Sequence, residues 1–294
     1  MKICLIVNPN AGKKRGLYVA ETVSALFRDA GIHTESLVSL HPGGTREIAE
    51  ALDLSHWDGV VAVGGDGTLF EVINGLLAIS GSLTVPVGQI PVGTGNSFSR
   101  DLEIQSVEDA VARIVRGSVR KIDLGHFSSE AGDFYFANLL GAGFVSNVAY
   151  RARKYKALGS LSYIFGIIEE VIGLKSTQIT LEIDGKAIER EGIFVEICNS
   201  RFTGGNMMMA PAAEIDDGLL DVIILNKVTR RTLLKLLPSL FKGKHVESPF
   251  VEVIQGKRIL LRSENPLSLT PDGETFGTTP IDVTVHHQKL EMFG

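Results

Sequence analysis

Three segments of the chain combine glycine with small polar residues directly after a short apolar run: Asn8-Pro9-Asn10-Ala11-Gly12-Lys13-Lys14, Gly64-Gly65-Asp66-Gly67-Thr68 and Pro91-Val92-Gly93-Thr94-Gly95-Asn96. Glycine lets backbone N–H groups approach a bulky anion closely, and a helix opening behind such a loop adds the positive end of its dipole. Phosphate suits both features. One Gly-Gly pair is explained as well by a tight turn; three clusters on one sheet edge are much harder to explain that way. Asp66 places a carboxylate among phosphate-cradling glycines, where it would repel the anion unless a metal, water or hydroxyl stood between them. A Mg²⁺–phosphate or ribose contact is expected of it.

Two acidic turns lie further along. Glu214, Asp216 and Asp217, within NSRFTGGNMMMAPAAEIDDGLLD (199–221), supply hard oxygen donors of the kind Mg²⁺ prefers, although an acidic turn entering a strand is the simpler explanation. Pro271-Asp272-Gly273-Glu274 reads alone as a hairpin turn. Phosphorylating an alcohol, however, requires a carboxylate to accept the hydroxyl proton, and either acid of that turn could do so if it reaches the site. Other chemistries find no support. Gly12-Lys13 lacks the upstream glycine and following hydroxyl of a P-loop, and no G-x-G-x-x-G follows the first apolar run. His286 and His287 alternate in a strand and cannot chelate one metal from one face.

The elements that must position these residues change character along the chain. Apolar runs at Ile3–Val7, Gly59–Val63 and Val85–Val92 alternate with helical patterns at Leu17–Ala30, Thr45–Leu52 and Leu69–Ile79. Ser106 with Asp109 resembles a capping box for a further helix to Arg116. Fully apolar strands alternating with helices predict a parallel sheet, whose ligands bind at the carboxyl ends of the strands, so the three glycine loops should face one crevice. From about Gly125 strand patterns dominate, with Asp184-Gly185 as the strongest hairpin turn and helices expected near Ser146–Ala157 and Thr229–Phe241. The expectation is therefore α/β plus all-β: a doubly wound nucleotide-binding domain over 1–124, followed by a β-rich, sandwich-like domain over 125–294.

The 294 residues, 44% hydrophobic and 21% charged, belong to a globular chain with a sizeable core. A net charge of −5 argues against a nucleic-acid binder. Two cysteines in apolar strand-like runs, Cys4 and Cys198, make a disulfide framework or Cys-based zinc site improbable and suit a reducing, cytoplasmic location. The opening apolar run is too short for a signal-peptide core, and Leu161–Leu174, interrupted by Glu169 and Glu170, is too short to span a bilayer.

With these residues in view, the chain resembles the diacylglycerol kinase catalytic-domain family, which includes bacterial lipid kinases and the sphingosine kinases. The likeness runs from Asn8–Gly12 through GGDGTLFEVINGL (64–76), PVGTGNSFSRDL (91–102) and GGNMMMAPAAEIDDGLLDV (204–222) to PDGE (271–274). GGDGT alone is shared with NAD kinases and phosphofructokinases; the ordered set is specific. The resemblance implies an ATP- and Mg²⁺-dependent lipid kinase acting on diacylglycerol or a related lipid. It implies ATP contacts at Asn8, Pro9, Asn10, Ala11 and Gly12, at Gly65, Asp66, Gly67, Thr68, Leu69, Phe70 and Glu71, and at Ser39 and Thr94. It also implies Mg²⁺ near Glu214, Asp217 and the Leu219 carbonyl, and Glu274 as proton acceptor with Asp272 as the close alternative. The sequence departs from the family at Phe70, where Asn is common, at Ser97, where Asp is common, and in Gly143–Asn147, which lacks a frequent acid.

A lipid substrate implies peripheral contact with a membrane surface. Arg151, Arg153, Lys154 and Lys156 form one basic cluster, and Lys227, Arg230, Arg231, Lys235, Lys242 and Lys244 surround LLKLLPSLF. A solvated helix face explains them equally well. No nucleic-acid partner is expected, and a homodimer is left open. The rival readings are an NAD or sugar kinase sharing only GGDGT, and a degenerate member that binds nucleotide or lipid without turnover.

Overall fold

In a computed structural model the chain is described at residues 1–93, 95–158 and 161–294, with backbone alone at Ile79, Ser80, Arg153, Lys156, Ala157 and Tyr163. It divides into two compact units, Met1–Ile122 with Gln288–Gly294, and Asp123–His287. The closing seven residues, read from sequence as part of the second half, pack with the first.

The first unit contains β1 (Lys2–Val7), the turn α1 (Ala11–Lys14), α2 (Gly16–Asp29), β2 (His33–Val38), α3 (Gly44–Glu50), β3 (Gly59–Gly64), α4 (Asp66–Ser80), β4 (Val87–Pro91), α5 (Ser97–Asp101) and α6 (Val107–Arg116). The strands are parallel, with β1 between β2 and β3, and β4 beyond β3. Ile3 to Val7 and Val60 to Val63 are wholly buried, as strands covered on both faces must be. Each Val, Leu or Ile among them contributes roughly 1.5–3 kcal/mol relative to exposure. Ser106 caps α6, its Oγ accepting the Asp109 amide at 3.1 Å, as its spacing predicts. The order 2-1-3-4 places the topological switch between β1 and β3, where an open α/β sheet takes its ligand.

The second unit is β-sandwich-like. It holds most of β5 (Val119–Ser129), then β6 (Gly132–Phe136), β7 (Leu139–Gly143), α7 (Phe144–Ala152), α8 (Leu161–Ile172), β8 (Thr177–Ile183) and β9 (Lys186–Cys198). After two two-residue strands, β10 (Phe202–Thr203) and β11 (Met207–Met208), come β12 (Leu220–Asn226), α9 (Arg230–Leu240), β13 (Val251–Gly256), β14 (Arg258–Ser263), β15 (Leu269–Pro271) and most of β16 (Ile281–Phe293). Asp184 (φ 48) and Gly185 (φ 80) make the β8–β9 hairpin turn that the sequence predicts. The amino half of β9 pairs with β8, and its carboxyl half lies between β7 and β12. Residues 161–172, read only as an apolar stretch, form the helix α8. Their uniform hydropathy hides the period, and Glu169 and Glu170 are held by Arg151 of α7.

Candidate active site

At the carboxyl edge of the parallel sheet the glycine loops meet. The Asn8 amide donates to the Val63 carbonyl at 3.1 Å, and its side-chain Nδ2 reaches Thr68 Oγ1 at 3.1 Å, joining the β1 loop to the opening of α4. Gly12 has φ +55, and a Cβ there would lie 2.1 Å from the Val92 carbonyl oxygen. Gly65 and Gly93 pass so closely that a Cβ on Gly93 would stand 2.6 Å from the Gly65 Cα. Side chains are thus excluded where three loops come together, and backbone amides line the space instead. The fifteen-residue α4 starts behind Gly65 with no side-chain cap, and the positive end of its dipole faces the loop. Asn96 Oδ1 is buried without a hydrogen-bond partner at the same junction. This donor-rich, side-chain-poor cradle fits a polyphosphate.

The candidate nucleotide residues are distributed unevenly over it. Asn8, Pro9, Asn10, Ala11 and Gly12 form the β1 loop, and Gly65, Asp66, Gly67 and Thr68 form the β3 loop and first turn of α4. Ser39 follows β2 on the same edge, its amide bonded to the Val7 carbonyl. Leu69 and Phe70 bury their side chains in the core and can offer a ligand only backbone, while Glu71 is half-buried. Phe70 therefore replaces the family's Asn at a core position. Thr94 lies outside the described residues.

The Asp66 carboxylate is turned toward α5. Its carboxylate oxygens accept the Ser97 amide at 2.8 Å and the Phe98 amide at 3.2 Å. Burial raises its pKa from the ordinary value, and the two amides oppose that shift. The acid ties the β3 loop to α5 rather than projecting as a bare ligand. Ser97, the other departure, contributes its amide to this tie.

In the second unit, Asp272 and Glu274 separate clearly. Asp272 is buried, has φ +46, and accepts amides from Ala137 (3.0 Å), Asn138 (2.9 Å) and Leu139 (3.0 Å). Its carboxylate is used to hold the 271–274 turn against β7. Glu274 is half-buried, with its amide on the Pro271 carbonyl at 2.8 Å.

Glu214, Asp217 and the Leu219 carbonyl belong to one turn, with both carboxylates exposed. Asp217 Oδ1 accepts the Leu219 amide at 2.9 Å. Asp123, absent from the sequence candidates, organises this turn. Fully buried, it accepts the Gly218 amide at 2.6 Å, meets His287 Nδ1 at 2.9 Å, and its own amide reaches the Ile215 carbonyl at 2.7 Å. Among the described residues no three His, Cys, Asp or Glu side chains gather as a metal centre, so a cation here would take two carboxylates, one carbonyl and water.

A narrow pocket, open to solvent on one side, lies between the sheet and α7, α8 and α9. Its walls are apolar, including Phe144, Val148, Ile167 and Leu237, and Gly273 of the acidic turn is part of them. Glu196 and Thr270 also line it. Neither belongs to a motif, but Glu196 is the one acid in the buried run Ile193–Cys198, and a charge in such a strand is a readable signal.

Residues 2–127 match the diacylglycerol kinase catalytic domain, and residues 138–294 match the YegS C-terminal NAD kinase beta sandwich-like domain. A diacylglycerol kinase of Bacillus subtilis (strain 168) is 29% identical over 280 residues, covering 94% of this chain and 90% of its own. A solved structure from Bacillus anthracis str. Sterne superposes with a TM-score of 0.83 over 99% of this chain and 97% of that one, at 24% identity. An NAD kinase from Archaeoglobus fulgidus, solved in complex with ATP, shares the fold at TM-score 0.55 and 13% identity, covering 100% of this chain and 94% of that one. With both halves matched in order, the chain belongs to the diacylglycerol kinase catalytic-domain family, a family of lipid kinases.

Proposed function

We propose that the protein transfers the γ-phosphoryl group of ATP, with Mg²⁺, to a hydroxyl of a membrane lipid. The observation that carries the lipid side is the apolar cavity whose wall includes Gly273, the neighbour of Glu274. A sugar or dinucleotide acceptor would leave polar groups unpaired against these walls, at a cost of about 1–3 kcal/mol each. The nucleotide side is supported by the glycine cradle, and by an NAD kinase of related fold having been solved with ATP.

In this reading the loops Asn8–Gly12 and Gly65–Glu71 bind the triphosphate, with Ser39 and Thr94 completing the site. Glu214, Asp217 and the Leu219 carbonyl would hold Mg²⁺, which would neutralise phosphate charge. Glu274 takes the proton as the lipid hydroxyl attacks the γ-phosphorus, and the hydrocarbon walls around the acceptor exclude water. The burial of Phe70 in the core argues against a degenerate member, because the departure removes no exposed ligand-binding group.

Membrane contact is part of the proposal. Arg230, Arg231 and Lys235 are exposed on α9 beside exposed Leu234, and α8 exposes Leu161, Phe165, Ile168 and Ile172 along one face. Cations beside apolar side chains suit an anionic bilayer. Arg151 and Lys154 instead pair with Glu169 and Glu170, and the side chains of Arg153 and Lys156 lie outside the described ones. No helix among the described residues is long and apolar enough to cross a membrane.

The test is transfer of label from [γ-³²P]ATP over a mixed lipid extract, with identification of the product. A labelled lipid is expected. Label appearing only in a water-soluble acceptor, or nucleotide binding without transfer to any lipid, would reject the reading.

A further inference from the structure

The two polar side chains in the cavity wall stand in register. Thr270 of β15 is opposite Gly141 of β7, and Gly141 is opposite Glu196 of β9. Directly opposed residues of antiparallel strands project from the same face, so the three form one row, with Glu196 and Thr270 about 10 Å apart at their Cα atoms. The middle position has no side chain. A Cβ there would stand 2.7 Å from Val145 Cγ2 and 3.8 Å from Glu196 Oε1, so glycine gives the Val145 side chain its place over the middle of the row and adds no side chain between the two polar groups.

Both groups lack something to bind. Glu196 is 2% exposed and Thr270 5%, yet Glu196 Oε2 and Thr270 Oγ1 have no hydrogen-bond partner. A buried polar atom without a partner costs about 1–3 kcal/mol, and native proteins tolerate few of them. Among the described residues, the cavity walls contain no Lys, Arg or His to balance a carboxylate. Burial alone pushes the Glu196 carboxyl up to about 8, so near pH 7 it is mostly the neutral acid, with one O–H donor and one free acceptor oxygen.

We propose that Glu196 and Thr270 are specificity-determining residues that hydrogen-bond uncharged oxygens of the acceptor, such as ester carbonyls or a second hydroxyl, from the cavity wall they share. An acceptor with an ammonium group in the same position is disfavoured, because it would require an ionised carboxylate inside apolar walls. The proposal rests on the lipid-kinase reading and adds the chemical class that the site selects.

The experiment compares dioctanoylglycerol with a sphingoid base as acceptors for the wild type, Glu196→Leu, Glu196→Gln and Thr270→Val. Acceptor KM, kcat, ATP KM and melting temperature are measured for each. Glu196→Leu should raise the KM for dioctanoylglycerol on the order of tenfold, as losing one hydrogen bond to a buried acceptor would. ATP KM should stay constant and melting temperature should not fall. Glu196→Gln, which keeps a neutral donor and acceptor, should restore most of the affinity, and Thr270→Val should weaken it independently even if Glu196→Leu does not fold. Unchanged KM in both Glu196→Leu and Thr270→Val would overturn the proposal while leaving the lipid-kinase reading intact. So would a preference for the sphingoid base that Glu196→Gln abolishes. Failure of the wild type to phosphorylate any lipid would overturn both.

Discussion

Asp272 and Leu139 exchange hydrogen bonds in both directions. The Leu139 amide donates to Asp272 Oδ1 at 3.0 Å, and the Asp272 amide donates to the Leu139 carbonyl at 2.9 Å. With the amides of Ala137 and Asn138 on the same carboxylate, the acid acts as the clamp that fixes the turn carrying Glu274.

The two acids should therefore fail in different ways. Asp272→Ala leaves three buried amides unsatisfied and should destabilise the protein by roughly 2–4 kcal/mol, with activity lost alongside stability. Glu274→Gln should lower kcat by about 10²–10⁴ with little change in melting temperature. Thermal melts and steady-state kinetics on both variants check this. Equal loss of stability in the two would remove the distinction.

Asp66→Asn should weaken the tie to α5. An amide retains one acceptor oxygen but turns an N–H₂ group toward a backbone donor, a cost comparable with losing a helix cap, about 0.5–2 kcal/mol. The expected result is a lower melting temperature together with a raised KM for ATP. Loss of turnover at unchanged stability and ATP affinity would instead assign Asp66 to the chemical step.

Gly12→Ala should be far more damaging than Gly65→Ala. The first adds a Cβ at φ +55 and 2.1 Å from the Val92 carbonyl, where no flexible group can yield; the second meets the Gly93 Cα at 3.1 Å and needs a shift of tenths of an ångström. Nucleotide affinity by titration calorimetry, compared with circular dichroism of each variant, measures the difference.

Stability should fall with rising pH because of Glu196. Its carboxyl titrates near 8 when folded, against 4.5 for the free side chain, so the folded state binds the extra proton between those values. The contribution is full below about pH 4.5 and diminishes as pH rises through 8, with a slope of at most about 1.4 kcal/mol per pH unit. Glu196→Gln should flatten that decline. Denaturant unfolding of both proteins at pH 5, 6.5 and 8 tests it, and parallel curves would contradict it.

Reversing Arg230, Arg231 and Lys235 to Glu should reduce binding to anionic vesicles by ~10-fold or more at low salt, since each cation near such a surface is worth about 1 kcal/mol. Sedimentation with phosphatidylserine-containing vesicles reads this directly. Equal binding before and after would discard the α9 patch and direct attention to the apolar face of α8.

Much of this protein was legible in the order of its residues. Continuous apolar runs such as Ile3–Val7 and Gly59–Val63 can be satisfied only by strands buried on both faces, and the Asp184-Gly185 pair can hardly adopt anything but a hairpin turn. The meeting of the glycine loops at one sheet edge was legible because their chemistry is local: close backbone approach and a helix start. What needed three dimensions was the use of each acid. Asp66, Asp123, Asp272 and Glu274 are all carboxylates in sequence, yet amides 31, 95 and 133 residues distant turn the first three into structural ties. Glu196 is the reverse case. An isolated acid in a buried strand gains a role only when Gly141 and Thr270 fall into register beside it, because pairing between strands, not neighbourhood along the chain, decides what a side chain faces.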